Sequence, residues 1–416
     1  MYCRRQEMHQ SLQPSQLPLE VAQTGLRVAY VTPYDPEDPL QWSGLGAHIY
    51  KCLRLLDFDV DGLGPLPAYS HARRHWLRLK SAWYNRFLRR RFGHFSAERD
   101  HHIATVLAKA VAAKLQTAPY DLVVSPGSIP VAFLETDVPI VIWADATFHS
   151  LATTYPECRN KTRSYYEDGE ALERMALWRA SLCVYSSEWA AQSAIEHYGV
   201  EARKVKVIPF GANVDDDVSD DDIQAAIAQR CNGPMRLLFI GVDFMRKGGP
   251  KVLEVTRELL RLEVPVELHI IGCTPDVPEL LRPHTTVHGF ISKASREGRE
   301  KIAAAFLRSS WLILLPSAEC YGLVFAEANR YGVPCIASRV GGIPTIVRDD
   351  CNGKLFTSDA AAGEIARYIA QASSQTDRYR GMAIASHKEY EARLNWRVAG
   401  KAFADSVAVL SGAPTD

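Results

Sequence analysis

The sequence predicts two doubly wound α/β domains that face a central cleft. Three observations predict it. Short, nearly continuous apolar runs alternate with helical stretches, the pattern restarts after an acidic segment, and the chain of 416 residues exceeds what one core usually sustains. Runs that are apolar throughout suit parallel strands buried on both faces, with helices as the crossovers. In such sheets ligands bind outside the C-terminal ends of the strands.

The first series of strands is read at 26–32, 121–125, 139–145, 182–186 and 204–210. After the acidic stretch Asp215 to Asp222 the second series runs through 235–241, 266–272, 311–316 and 334–338. We therefore expect a disordered tail over 1–24, an N-terminal α/β domain over 25–212 and a C-terminal α/β domain over 213–395. Residues 396–416 are expected to form a helix that crosses back to the first domain.

Composition narrows the function classes. Lys+Arg and Asp+Glu number 48 each, so the chain as a whole is not basic enough to suggest a nucleic-acid partner. The nine cysteines are scattered singly, with no pairing at metal-ligand spacing, which suits reduced thiols in a cytoplasmic protein. Apolar runs such as Trp311 to Leu315 fall far short of the roughly 18 residues a membrane span needs. The polar tail lacks the apolar core of a signal peptide.

The stretch Pro316-Ser-Ala-Glu-Cys-Tyr-Gly-Leu-Val-Phe-Ala-Glu-Ala-Asn329 carries the most chemistry. It follows an apolar strand and enters a helix, so Glu319 lies in the loop and Glu327 in the helix. Gly322 lets backbone amides approach a ligand, and a helix N-terminus at Leu323 and Val324 offers free N–H groups to a diphosphate. Carboxylates accept hydrogen bonds from neutral hydroxyls, which suits a sugar and a ribose. After the strand at 235–241, Arg246 and Lys247 sit in a Gly-flanked loop that opens a helix, a placement suited to an anion.

These residues resemble the retaining glycosyltransferases of family 4, group 1, which have the GT-B fold of two Rossmann-like domains. Glu319 and Glu327 match the family's glutamate pair, and Gly332-Val-Pro-Cys-Ile-Ala337 and Gly341-Gly-Ile-Pro-Thr345 match the flanking text. Thr345 departs from it, standing where many members carry a third carboxylate. The resemblance implies transfer of a hexose-type sugar from a UDP- or GDP-sugar to a hydroxyl of a glycan, glycolipid or small molecule. It implies that Glu319 touches the donor sugar, that Glu327 binds the ribose, and that amides from Tyr321 to Val324 face the diphosphate. Arg246 and Lys247 would stabilise the departing nucleotide, with no metal or other cofactor required. Phe290 and Ile291, in His288-Gly-Phe-Ile-Ser292, resemble the nucleobase loop, which reads the base through backbone atoms and so leaves UDP and GDP unseparated.

On the acceptor side, Gly44 and Gly46 form a small-residue loop after the first strand, which the resemblance implies approaches donor phosphate or acceptor. The strand at 139–145 ends on Asp145, where many family members carry a histidine, and His149 follows four residues later. Both are candidates for contact with the reacting sugar. Residues 72–92 contain eight Lys or Arg and no acid, while Trp76, Leu79, Trp83 and Phe87 recur on one helical face. Two readings stand for that helix: peripheral contact with an anionic membrane, or aromatics packed on the domain with arginines facing water. Two further functions share the fold: a sugar-nucleotide epimerase, and a non-catalytic sugar-nucleotide or membrane-surface binding protein.

Overall fold

A computed structural model describes residues 25–410 except 40, 57, 68–70, 216 and 231, so the expected N-terminal tail lies outside the described residues. Among those residues the strands form two parallel six-stranded sheets. The first holds β1 (Arg27–Tyr30), β2 (Asp59–Gly62), β3 (Leu122–Ser125), β4 (Ile140–Ala144), β5 (Leu182–Tyr185) and β6 (Val205–Val207), in the order β2-β1-β3-β4-β5-β6. The second holds β7 (Met235–Ile240), β8 (Val266–Ile271), β9 (Thr285–Gly289), β10 (Trp311–Leu314), β11 (Cys335–Ser338) and β12 (Gly353–Phe356), in the order β12-β11-β10-β7-β8-β9. The fold is two Rossmann-like domains.

The central strands are the apolar runs: every residue of β3, β4, β5, β10 and β11 is buried. The β2, β9 and β12 strands were not anticipated, and each lies at a sheet edge. Asp-Val-Asp-Gly in β2 and Thr-Thr-Val-His-Gly in β9 are largely part-exposed and lack the apolar signature, while β12 has three of its four residues buried but is too short to stand out.

Strand order reverses between β1 and β3 in the first sheet and between β7 and β10 in the second. The loops after β7 and β10 therefore diverge around a crevice, the usual place for a ligand. Phe210 to Asn213 carries the chain between the sheets. A Cβ on Gly211 would stand 2.2 Å from the Trp396 backbone nitrogen, so close approach demands glycine there. Trp396 Nε1 donates to Asn213 Oδ1 at 3.1 Å, and Ala212 N donates to Leu394 O at 2.9 Å. The helix Trp396–Ala408 then lies against the first sheet, where Phe403 stacks on Trp143 with centroids 4.4 Å apart.

The basic helix His71–Phe87 corrects one of the two readings offered for it. Trp76, Leu79, Trp83 and Phe87 are 51%, 59%, 58% and 66% exposed, so the aromatic stripe does not pack on the domain. The helix is seated instead through Leu77, which is buried, and Tyr84, whose ring meets Phe95 at 5.6 Å. Among the described residues no helix is long and apolar enough to cross a membrane.

Candidate functional site

The crevice of the second sheet is assembled by three loops held to one another through backbone. Gly248, at φ +78°, packs so closely on the end of β10 that a Cβ would meet Leu315 O at 2.0 Å. Leu315 N donates to Lys247 O at 3.1 Å and Ser317 N to Arg246 O at 3.0 Å. On the other side Gly342 N donates to Cys320 O at 2.9 Å. The cation loop and the glutamate loop are thereby fixed relative to each other before any ligand arrives.

Their side chains converge. Lys247 Nζ forms an ion pair with Glu319 Oε2, and Arg246 Nη1 lies 3.6 Å from the same oxygen while donating to Ala318 O at 3.0 Å. Glu319 and Lys247 are only 12% and 15% exposed, so this charge cluster is largely withdrawn from water. Gly322 caps the helix Leu323–Arg330 at φ +90°, in the left-handed region that glycine enters freely. Glu327 lies inside that helix, buried, and pairs with Lys293 Nζ.

Lys293 was not anticipated. It follows Phe290 and Ile291 after β9, and a lysine directly after the expected base loop 288–292 was the available signal. Phe290 itself is 70% exposed. The Tyr321 side chain points away from the crevice: its hydroxyl donates to Phe210 O at 2.8 Å, tying the glutamate loop to the interdomain crossing. A depression of about 400 Å³, lined by Phe244, Met245, Leu253, Cys273, Thr274 and Pro278, shares the cation loop but includes neither glutamate.

The first domain supplies the opposite wall. Asp145 follows the end of β4, and burial pushes its carboxyl up to about 7, with the nearby Glu319 charge adding to the shift and a hydrogen bond to Trp42 opposing it. Trp42, Ser43 and Gly44 all have positive φ, at 49°, 55° and 78°, so this turn holds two non-glycine residues in a sparsely populated region. Gly46 lies in the first turn of the helix Leu45–Arg54, where a Cβ would come within 2.7 Å of the Tyr34 hydroxyl. Tyr155 crosses the cleft to accept the Cys320 N–H at 3.0 Å, and the Arg246 guanidinium lies 5.4 Å from its ring centroid.

His149 and Asp145 are not brought together. The helix Phe148–Thr154 begins at Thr147, whose side chain accepts from Ser150 N, and turns His149 onto another helix. There its ring stacks on His197 and its Nδ1 lies 3.5 Å from Glu170 Oε1. Trp42 and Tyr155 carried no motif that could have marked them.

Comparisons with known proteins bear on the family and the fold. A family model described as Glycosyl transferases group 1 matches residues 234–375, and one described as Glycosyltransferase Family 4 matches residues 48–216. The chain belongs to the family 4 glycosyltransferases of group 1. Among the relatives of this family 4 chain is a D-inositol 3-phosphate glycosyltransferase of Xylanimonas cellulosilytica, 29% identical over 44% of this chain and 46% of that one. Another, from Corynebacterium aurimucosum, is 26% identical over 54% of this chain and 56% of its own length. The chain thus spans about half the length of the curated relatives it matches.

Solved structures resemble it over nearly the whole chain. The sucrose-phosphate synthase of Thermosynechococcus elongatus superposes with a TM-score of 0.67 at 15% identity, covering 94% of this family 4 chain and all of that one. Anabaena HepE in complex with UDP and glucose gives 0.58 at 18% identity, covering 92% and 100%. At such identities the likeness is one of fold, and the fold is GT-B.

Proposed function

We propose that the protein is a retaining glycosyltransferase that takes a hexose-type sugar from a UDP- or GDP-sugar and passes it to a hydroxyl acceptor. The observation that carries the reading is the convergence of Arg246 and Lys247 on Glu319, across the cleft from Asp145. Without donor, the two cations neutralise Glu319. A bound diphosphate takes those cations for its own oxygens and releases the Glu319 carboxylate to accept hydrogen bonds from the sugar hydroxyls. Glu327, held by Lys293, accepts from the ribose hydroxyls in the same way. As the bond from the anomeric carbon to phosphate breaks, negative charge grows on the leaving diphosphate, and fixed cations stabilise that state more than the ground state.

The acceptor hydroxyl attacks from the face the phosphate leaves and gives its proton to a phosphate oxygen, so no strong protein base is required. Arg246 and Lys247 occupy the electrostatic role a divalent ion would otherwise fill. Following the new anomeric signal by NMR tests the stereochemistry: an α-linked donor should give an α-linked product, and a β-linked product would refute retention. Turnover by chelator-treated protein should be unchanged by added magnesium.

Asp145 is assigned to the reacting sugar, where its carboxylate faces positive charge developing at the anomeric carbon. Its folded-state pKa stands above the unfolded value near 3.9, so ionising it costs stability as pH rises from about 4 to about 7. The full cost is at most about 4 kcal/mol at 1.36 kcal/mol per unit. Asp145→Asn should therefore flatten the fall of Tm between pH 4 and 7, and it should remove a limb of the kcat/KM profile with midpoint near 7. An unchanged profile would remove Asp145 from the reaction.

The exposed stripe of Trp76, Leu79, Trp83 and Phe87, among arginines, supports seating of the acceptor domain on an anionic membrane. Aromatic side chains enter the headgroup boundary while cations meet anionic lipid. Sedimentation with vesicles should carry the protein down with phosphatidylglycerol and not with phosphatidylcholine alone. Replacing Trp76 and Trp83 by Ala should weaken that binding by about tenfold or more, on the scale of burying two aromatic rings. Equal binding to both vesicle types would contradict the reading.

A further inference from the structure

We propose that His149, Glu170 and His197 form a site for a divalent d-block ion of the zinc type, separate from the donor-holding residues. His149 Nδ1 lies 3.5 Å from Glu170 Oε1, and His197 Nε2 lies 3.0 Å from Glu170 Oε2. One ligand atom from each of the three residues falls within 4.8 Å of the others. A tetrahedral ion with bonds of about 2.1 Å holds its donor atoms about 3.4 Å apart, so small side-chain rotations close this arrangement around one ion. The three residues leave a fourth position for water. Two imidazoles with one carboxylate favour zinc, cobalt or nickel over magnesium or calcium.

Arg174, one turn along the same helix from Glu170, lies over the Tyr198 ring, 5.5 Å from its centroid, and makes no ion pair with the carboxylate. Among the described residues no Lys or Arg forms an ion pair with Glu170, whose partners are the two imidazoles and the Tyr198 hydroxyl. That hydroxyl also accepts the His149 backbone N–H at 3.0 Å, so it ties the carboxylate to one of its companions and orients it from outside, as second partners of metal ligands do. The two rings stack with centroids 3.5 Å apart, which sets both imidazoles at the carboxylate together. A second cluster, Asp220, His387 and Glu391, differs on this point, because Arg330 already lies 3.4 Å from Asp220.

The ligands come from three elements: the helix Phe148–Thr154, the helix Arg163–Arg179, and the residue that ends the helix Glu188–Glu196. An ion would clamp all three together. The first of them leads directly to Tyr155, whose N–H donates to Leu151 O at 2.9 Å and whose hydroxyl meets Cys320 across the cleft. Zinc would thus stiffen the arm that contacts the glutamate loop without touching Arg246, Lys247, Glu319 or Glu327.

Titration of chelator-stripped protein with zinc in a calorimeter tests this, with the visible bands of cobalt(II) reporting the ligand field. One ion per chain is expected, with a rise in Tm on binding. The nine cysteines are alternative ligands, so the decisive comparison uses His197→Gln and Glu170→Gln, checked for fold by circular dichroism. Each should weaken zinc affinity by more than the roughly 10- to 100-fold that loss of an outer partner costs. If one variant does not fold, the other gives the same reading. Absence of zinc uptake by the wild-type chain, or wild-type affinity in a folded variant, would overturn the proposal.

Discussion

Replacing Lys247 by Ala should lower kcat/KM by about 10² or more, from the roughly 2–3 kcal/mol that a hydrogen bond to a charged group contributes when it tightens in the transition state. The geometry explains why the loss should be large and local. Lys247 is pinned by its own backbone, through Leu315 N at 3.1 Å and the close approach of Gly248, so its ammonium is delivered to one place. A preorganised cation of this kind needs little rearrangement as charge develops on the leaving phosphate. The backbone contacts survive the substitution, so Tm should move little. Arg246, 3.6 Å from Glu319, remains as a second cation and sets the residual rate. Because the charge it meets grows during reaction, kcat should fall along with kcat/KM. A variant with wild-type kcat would show that Lys247 is not at the leaving group.

The second large effect is expected at Glu327. Its carboxylate is buried and already neutralised by Lys293, and the ribose hydroxyls would be bound throughout the reaction, not only at its peak. Glu327→Ala should therefore raise donor KM by about 10- to 100-fold while kcat changes little, the pattern of lost uniform binding. Lys293 is 43% exposed on its side chain, so it can turn to water when its partner goes, and the fold should survive. Glu327→Gln keeps one acceptor oxygen and should fall between the two. Comparing KM for a sugar nucleotide with that for its 2′-deoxyribose analogue checks the assignment: the analogue should lose affinity in wild-type protein and not in Glu327→Ala.

Among the central strands, legibility in the sequence followed burial. The strands Leu122–Ser125, Ile140–Ala144 and Trp311–Leu314 are buried at every residue, and their apolar runs announced them. The edge strands β2 and β9 were invisible because neither holds a continuous apolar run, whereas the edge strand β6 was read from its Val205 and Val207 although it is only part-buried. The local structure around Glu319 was legible because it needs particular residues at set spacing: glycine at a positive φ and a helix opening behind it, with carboxylates on both sides. Lys293 was not, because its pairing with Glu327 is made through space between a loop and a helix distant in sequence. The same limit applied to Tyr155 and Trp42, whose meaning depends on how the two sheets face one another.

The basic helix and His149 mark a different limit. Spacing placed Trp76, Leu79, Trp83 and Phe87 on one face, yet spacing alone is silent on which face meets the domain. The buried Leu77 and the contact of Tyr84 with Phe95 decide it. His149 stands four positions after Asp145, but the helix that opens at Phe148 sends the two side chains to different neighbours, Glu319 and Glu170.

The measurement that bears most directly on the account is nucleoside diphosphate release from a panel of UDP- and GDP-sugars, by wild-type protein and by Lys247→Ala and Glu327→Ala. Release from at least one donor, reduced by about 10² at Lys247 and restored by high donor concentration at Glu327, is the expected result. Tight nucleotide binding without release from any donor, or release that both substitutions leave untouched, would contradict it.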